Sequence, residues 1–539
     1  MRFEQQISAG LRVVVSGVVG LCLFASGRPL SASEQNPTAV LQPPRAAAPA
    51  GTEVQISSEE AVRMALENNL GIRAERLSPQ LQALALSQTR ASYVPNLISG
   101  FSKGSSTTPP EDFLTGSANV LTTGGLRTNG GVQQYLKWGG GRYQLTLDGA
   151  RNTTSNKSSV YNPKLSSNLN FNYTQPLLRN FTIDSTRQQI LVGQKEQEIV
   201  DLQLKQQVTQ TARAVRSAYY DLVGAIGQLD VAKKSLDLAN QSLKNNERRV
   251  EVGTLAQIDI VEAQAEVSRQ EEAVILYEAQ IRSVEDNLRT LIMNPSQPDF
   301  WTTRIVPSEP PVVTERPIDL DAAIQSALAN RTDLAQARRQ MEQTDITMKF
   351  IRNQKLPSVD MITSYNVVGL GGTQSEFDYE AGVIPYPILK QTQRSFSDAL
   401  RDVFGNNFKT WSLTFSVSYP IGRSPADAAL AQSRLQREQQ VTNLRALELQ
   451  VTGSVREAAR QVDTSLKRVE ATRKALEFAQ KRYEAEEKRM TVGLSTTFQL
   501  FQAQRDLASQ KLAELNAIIA YSRALVNFEA VQLVPVGGR

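Results

Sequence analysis

Apolar residues recur at a strict seven-residue spacing through two long segments of this chain. The first series comprises Val208, Val215, Leu222, Leu229, Leu236, Leu243 and Val250, and the second comprises Val455, Val462, Val469, Leu476, Tyr483 and Met490. Such a sustained heptad repeat predicts long helices that pack as coiled coils. A helix over residues 184–250 would be on the order of 100 Å long, at about 1.5 Å per residue. A hairpin of that length cannot bury both of its faces alone, so it must pack against copies of itself or against a partner.

Small residues accompany the first heptad series. They stand three positions after its large members, at Thr211, Ala218, Ala225, Ala232 and Ala239. Because small side chains let neighbouring helix axes approach closely, this pattern is typical of tightly packed assemblies of several helices.

The chain repeats its own plan, once in each half. Ala61 and Pro95 match Ala323 and Pro357, each 262 positions later. We predict a first structural repeat at 56–294, with strands at 93–176 and a long helical hairpin at 184–293. The second repeat is predicted at 318–533, with strands at 356–420 and a hairpin at 426–531. A proline-rich linker at 295–317 joins the repeats, and residues 534–539 form a C-terminal tail.

The N-terminus has the order of regions found in a secretory signal peptide. Arg2 and Arg12 precede the apolar run 13–25, and small residues follow up to Ser33. We therefore predict a signal peptide at 1–33 and an exported mature chain. The Pro- and Ala-rich segment 34–55 is predicted to be a flexible leader.

Several short segments alternate apolar and uncharged polar residues with a period of two. In one, Leu169, Phe171 and Tyr173 alternate with asparagines, and 412–419 and 358–367 show the same pattern. This alternation is typical of transmembrane β-barrel strands, and a half-buried antiparallel sheet is the alternative. The signal peptide and long helices favour the barrel. So few strands cannot close a barrel alone, so it must be shared between protomers.

The segments between these strands are rich in Gly, Ser, Asn and Thr. They are Thr107–Gly131, Asn152–Lys164 and Gly369–Asn407, and we predict that they form extracellular loops.

Composition excludes several classes of function. The 539 residues include no histidine and one cysteine, Cys22, which lies in the predicted signal peptide. Histidine-dependent catalysis, histidine-ligated metal sites and Cys-rich metal sites are thereby excluded. A net charge of +5, without segregation of Lys and Arg, does not favour a nucleic-acid partner. We therefore expect no enzyme, no cofactor and no metal site.

In this order the motifs closely resemble the TolC family of outer-membrane efflux proteins, from Ile56 to Leu533. They are the twofold repeat, the helix-to-strand prolines Pro95 and Pro357, the strand-to-helix segments Gln175–Arg179 and Tyr419–Arg423, and the turns Val252-Gly253-Thr254 and Val492-Gly493-Leu494. The resemblance implies an α+β homotrimer in which three protomers share a 12-stranded antiparallel barrel in outer-membrane lipid. A long coiled-coil tunnel would continue the barrel across the periplasm. It also implies that a periplasmic adaptor delivers substrates from an inner-membrane pump.

One departure from the family pattern is an additional strand-like pair at Gly130–Ala150. The usual four strands per protomer would be Tyr93–Lys103, Lys164–Gln175, Leu356–Val368 and Phe408–Tyr419. The additional pair could enlarge the barrel or cap it.

The resemblance places the periplasmic entrance just beyond the Val-Gly turns. The corresponding residues are Asp259 and Glu262 in the first half and Gln499 and Gln502 in the second. Family members often carry an aspartate pair in the second half, so this chain is expected to have a mixed ring. Three copies of the acids would favour cations. Alternatively, both acids simply stabilise the positive N-terminal end of a helix.

The two turns themselves are expected to serve as adaptor-docking tips. They comprise Val252, Gly253, Thr254, Val492, Gly493 and Leu494, and each glycine is predicted to end its helix in the left-handed conformation. The leading hypothesis is a passive exit duct. The alternative is a periplasm-spanning structural scaffold, anchored in the outer membrane, that transports nothing.

Overall fold

The structure is a computed structural model that describes residues 53–109, 120–311, 313–314, 317–382, 386–422 and 424–532. The predicted signal peptide, most of the predicted leader and the C-terminal tail lie outside the described residues.

Long helices dominate the described chain. Its helices are α1 (Ser58–Asn68), α2 (Leu70–Glu75), α3 (Ser78–Arg90), α4 (Ser185–Glu251), α5 (Gln257–Ile292), α6 (Leu320–Asn330), α7 (Thr332–Gln354), α8 (Phe396–Phe404), α9 (Pro425–Thr491) and α10 (Thr497–Gln532). Helices α4 and α9 have 67 residues each, and α5 and α10 have 36 each. Each half therefore ends in a hairpin that joins a very long helix to a shorter one.

The heptad positions form the contact between helices, as predicted. Val215 and Leu222 of α4 and Val455 and Val462 of α9 are buried. The small residues of the first series, from Thr211 to Ala239, are all buried too. Helix α10 packs along both α9 and α4, and α7 lies against α4 and α9, so the two hairpins form one helical layer.

The strands of the described residues form two sheets. They are β1 (Glu53–Ile56), β2 (Asn96–Thr108), β3 (Leu121–Tyr135), β4 (Arg142–Thr154), β5 (Tyr161–Pro176), β6 (Arg304–Pro307), β7 (Ser358–Phe377), β8 (Ile388–Arg394) and β9 (Lys409–Ser418). Strands β1 and β6 pair in parallel. The other seven form one antiparallel sheet in the order β2-β3-β4-β5-β7, with β8 and β9 both paired to β7.

The large sheet has one apolar and one polar face. The register aligns one apolar row across it, Leu97, Val132, Leu145, Phe171, Tyr365 and Trp411. The next row, on the opposite face, is polar throughout: Asn96, Gln133, Gln144, Asn172, Ser364 and Ser412. Because side chains alternate between faces along a strand, two adjacent rows are enough to define both faces.

Much of the sequence expected to form loops is strand. Strand β3 begins at Leu121, inside the predicted loop Thr107–Gly131, and β5 begins at Tyr161, inside Asn152–Lys164. The predicted loop Gly369–Asn407 contains the end of β7, all of β8 and helix α8. These segments are rich in Gly, Ser and Asn, which are typical of loops, but pairing with neighbouring strands overrides that weak local preference.

Helix α8 lies directly on the sheet, over β7 and β5. A methyl group on Gly369 would collide with the backbone carbonyl oxygen of Ala399 in α8. Glycine is therefore required where this helix crosses the strand.

The predicted linker is more ordered than its prolines suggest. Arg304–Pro307 forms β6, and its partner β1 includes residues 53–55 of the predicted leader. Ile305 and Ile56 are buried in one apolar cluster with Tyr219 and Leu288. The extended backbone that proline favours is compatible with a short strand, so β6 can form within the proline-rich segment.

None of the helices described has an apolar stretch long enough to cross a membrane.

Candidate functional site

The two hairpin turns end their long helices in the same way. In the first, the Gly253 amide donates to Val250 O at 2.9 Å and the Thr254 amide donates to Arg249 O at 2.8 Å. In this double hydrogen bond, known as the Schellman motif, the residue after the cap adopts a left-handed conformation. Gly253 does so with φ +78°.

The second turn repeats that geometry. The Gly493 amide donates to Met490 O at 3.2 Å, the Leu494 amide donates to Arg489 O at 2.8 Å, and φ of Gly493 is +79°. No atom lies within 4 Å of a Cβ built on Gly253 or on Gly493. Glycine is therefore favoured here by backbone conformation and not by lack of space.

Cationic side chains and exposed apolar side chains surround the turns. Two cationic residues lie in the last turn of each long helix, Arg248 and Arg249 in α4 and Lys488 and Arg489 in α9. There they stabilise the helix, because its dipole is negative at the C-terminal end. Arg249 also donates to Met490 O at 3.4 Å, which joins the two tips. A second set of residues at the tips is apolar and largely exposed, with exposed fractions of 72% for Val252, 68% for Val492 and 78% for Leu494.

Asp259 and Gln499, both predicted at the entrance, occupy equivalent helix-capping positions. The Asp259 carboxylate accepts a hydrogen bond from the Ala256 amide at 3.2 Å, at the start of α5. The side-chain oxygen of Gln499 accepts from the Thr496 backbone amide at 3.4 Å, and the backbone amide of Gln499 donates to Thr496 Oγ1 at 3.3 Å. This reciprocal pair is a capping box. Asp259 therefore caps the N-terminus of α5, and its place in an entrance ring stays a prediction.

The other two predicted entrance residues lie one turn further along their helices. Glu262 is exposed on α5. Gln502 on α10 donates to Asp506 at 3.0 Å and accepts from Arg505 at 3.1 Å. Within the described part of the protomer, no hydrogen bond or ion pair joins the two acids to the two glutamines.

A buried carboxylate that the sequence did not single out connects the two hairpins instead. Glu266 of α5 is 4% exposed. It accepts from Arg269 at 2.8 Å and from Gln270 at 2.8 Å, and Arg505 of α10 lies 3.6 Å from it. Arg505 thus contacts both Gln502, on its own helix, and the buried carboxylate of α5. Only the tertiary packing brings these residues together, since no local motif marks Glu266.

A second ion pair continues this network along α9. Arg482 of α9 donates to Asp506 of α10 at 2.8 Å. Close by, burial and the neighbouring Glu487 carboxylate raise the pKa of the Tyr483 phenol. The region behind the tips is therefore held by charged and polar contacts as well as by apolar packing.

Among the described residues, no group of three or more acidic, histidine or cysteine side chains could hold a metal ion.

The arrangement of paired helical hairpins and an antiparallel sheet is shared with solved outer-membrane channels. The chain is similar in fold to the outer-membrane channel CmeC of Campylobacter jejuni, at 13% identity and a TM-score of 0.61, with 88% of this chain and 85% of that chain covered. It is also similar to VceC of Vibrio cholerae, at 13% identity and a TM-score of 0.59, with 88% and 95% covered. The open-state MtrE channel of Neisseria gonorrhoeae gives 15% identity and a TM-score of 0.59, with 88% of each chain covered.

The family follows from the sequence. The profile of the outer membrane efflux protein family matches residues 142–293 and 323–531, and the chain belongs to that family. A comparison with functionally curated proteins gives no match. The resemblance drawn from the sequence motifs is therefore confirmed. The protein is an outer membrane efflux protein with the fold of solved outer-membrane channels. This is a family of channels and not of enzymes.

Proposed function

We propose that the protein is the passive exit duct of a tripartite export system and that it acts as a homotrimer. The observation that carries the proposal is the two-faced sheet with two free edges. Within the described residues, β2 and β9 each have a partner strand on one side only. An open edge is not tolerated inside a bilayer. Three copies joined edge to edge would close the sheet, with apolar rows facing lipid and polar rows facing a water-filled lumen.

The helical hairpins of the three copies would continue that lumen as a periplasmic tunnel. Both hairpins contain helices of equal length, so their tips lie at equivalent positions in the internal twofold repeat. The energy for export would come from an inner-membrane pump, and conduction would require the helices at the entrance to move apart.

The entrance would carry a ring formed by Asp259 and Glu262, six carboxylates from three copies, with Gln499 and Gln502 as neutral members. Such a ring favours cations and opposes anions. Purified protein in planar bilayers under a salt gradient tests this, with Asp259→Asn/Glu262→Gln as the variant. This change removes charge but keeps side-chain size and hydrogen-bonding capacity.

Wild type should be cation-selective, and the variant should shift its reversal potential toward zero. An open pore with unchanged selectivity would overturn the ring assignment and leave the duct intact. Trimers that conduct in neither form would support the alternative, a structural scaffold anchored in the outer membrane.

The hairpin tips would form the docking surface for a periplasmic adaptor. The exposed Val252, Val492 and Leu494 support this assignment, because apolar side chains clustered at the end of a long hairpin are unfavourable in water. A photo-crosslinking residue at Leu494 should capture the adaptor in cells. The control is Phe478, which is equally apolar and 66% exposed but lies within α9, away from the tip. Equal capture at both positions would refute a tip-specific interface.

A further inference from the structure

The sheet offers more strand positions than the four expected. Strands β2, β3, β4, β5 and β7 occupy five positions. Strand β9 pairs with the first part of β7, from Ser358 to Val367, and β8 pairs with its last part, from Gly372 to Phe377. Since β8 and β9 follow one another along the same edge of β7, they share the sixth position.

The additional hairpin β3–β4 is an integral part of this sheet. It pairs with β2 through residues 121–133 and with β5 through residues 142–152, without a break in register. Its side chains continue both faces, with Val132 and Leu145 in the apolar row and Gln133 and Gln144 in the polar row. A segment that capped the barrel would not be hydrogen-bonded over its whole length on both sides.

A polar contact on the polar face of the sheet also ties the hairpin to β5. Asn170 donates to the Asp148 carboxylate at 2.6 Å. Both residues lie on the polar face of the sheet, where the adjacent rows also carry asparagines. The hairpin therefore contributes to the polar lining as well as to the apolar surface.

We propose that the outer-membrane barrel contains eighteen strands, six from each of three copies, and that hairpin β3–β4 widens its lumen. The inference rests on the proposed trimer. An even number of strands per copy keeps β9 antiparallel to β2 of the next copy, so the barrel can close with one pairing pattern throughout. Because barrel diameter grows roughly linearly with strand number, eighteen strands give a diameter about 1.5-fold that of twelve.

The wider barrel has a consequence for transport. The lumen cross-section would be about 2.3-fold larger than in a twelve-stranded barrel, the square of the diameter ratio. The helices that would form the tunnel are the same two hairpins that define the family fold. The outer-membrane segment would therefore admit bulkier solutes than a twelve-stranded barrel does.

Strand count and lumen width test the inference separately. Electron cryomicroscopy of the wild-type protein in lipid nanodiscs should show eighteen strands in a trimer. For the width, a deletion variant replaces residues 109–160 with a flexible Gly/Ser linker, which joins Thr108 to Tyr161 without fixing the register of the two strands. Strands β2 and β5 are antiparallel, and Asn96 and Asn172 lie in the same polar row, so the shortened sheet can keep its faces.

A single cysteine then reports lumen width from outside the cell. Asn168→Cys lies on the polar face and Leu169→Cys, its control, on the apolar face. Whole cells are treated with membrane-impermeant maleimide polymers of graded size. Asn168→Cys should react with polymers about 1.5-fold wider in the full-length protein than in the deletion variant, and Leu169→Cys should not react.

The outcomes separate the two proposals. A trimer with twelve strands, or the same polymer limit in two trimeric proteins, would overturn the eighteen-stranded barrel but keep the exit duct. A wild-type protein that is not trimeric would overturn the proposed function itself. If the deletion variant does not assemble, the strand count of the wild type decides.

Discussion

Replacing the glycine at one hairpin tip with alanine should loosen that tip without disturbing its surroundings. Gly253 has φ +78°, and a Cβ built on it meets nothing within 4 Å. The Gly253→Ala variant therefore adds no steric clash, and its only direct effect is the strain of an L-residue in the left-handed region.

The size of the effect follows from that strain. A non-glycine residue in the left-handed conformation costs about 1–2 kcal/mol. The population of the open tip should then rise by about 5- to 30-fold. Asparagine tolerates this conformation better than alanine does, so Gly253→Asn should have a smaller effect. At Gly453, inside α9 and also without neighbours, the same change to alanine should instead stabilise the helix by about 1 kcal/mol.

Amide hydrogen exchange at Thr254 measures this opening, because its amide makes the 2.8 Å hydrogen bond to Arg249 O that closes the turn. In Gly253→Ala, exchange at Thr254 should accelerate 5- to 30-fold, and exchange at Leu494 in the second tip should stay near its wild-type rate. Unchanged exchange at Thr254, or equal acceleration in Gly253→Ala and Gly453→Ala, would refute the reasoning.

Three further predictions concern the polar contacts of the helices. Removing the side chain of either Glu266 or Arg505 should favour opening of the entrance, which is measured as higher conductance in bilayers. The double variant should conduct little more than either single variant. If the effects of the two single variants on conductance add in the double variant, a coupling on the order of 1 kcal/mol between the two residues is contradicted. Hydrogen bonding to Lys355 and to the N-cap of α9 lowers the pKa of Asp427 from 3.8 to about 2. Its stabilisation of the α9 N-terminus should be complete above pH 3.8 and lost as pH falls through about 2, and Asp427→Asn should abolish this acid dependence in hydrogen exchange. Tyr219→Phe removes the phenol hydroxyl that donates to Glu309 O and accepts from the Glu309 amide. The free energy of unfolding, measured by thermal denaturation, should fall by about 1 kcal/mol. An unchanged midpoint of thermal unfolding would show that these hydrogen bonds do not anchor the linker.

The sequence predicted the long helices well because their signal is redundant. Each heptad position repeats the same information, and the buried Val215 and Leu222 confirm it. Strand β5 was visible for a similar reason, since its apolar residues alternate strictly. Strand β3 was not visible over its full length, because glycine and threonine give little periodic signal. Its pairing with two neighbours determines its structure.

In the candidate site too, features set by local sequence could be predicted and features set by tertiary packing could not. The turns and their glycines follow from local sequence, since a left-handed cap needs glycine. The capping box of Thr496 and Gln499 is also a local motif and could have been predicted. The contact between Glu266 and Arg505 could not, because they are 239 positions apart in the sequence and only the packing of α5 near α10 brings them together. Helix α8 was missed because it lies inside a segment whose composition is typical of a loop.

The parallel pair β1–β6 bears on how the protein could be divided experimentally. Residues 53–56 pair with residues 304–307, and Ile305 completes the buried cluster of the first half. A cut at the first prolines after α5 would therefore remove a strand and a core residue from the fragment it was meant to isolate. The first half should be expressible only as a fragment that extends beyond Glu309, whose backbone Tyr219 holds. During synthesis, its core likewise stays incomplete until translation has passed that point.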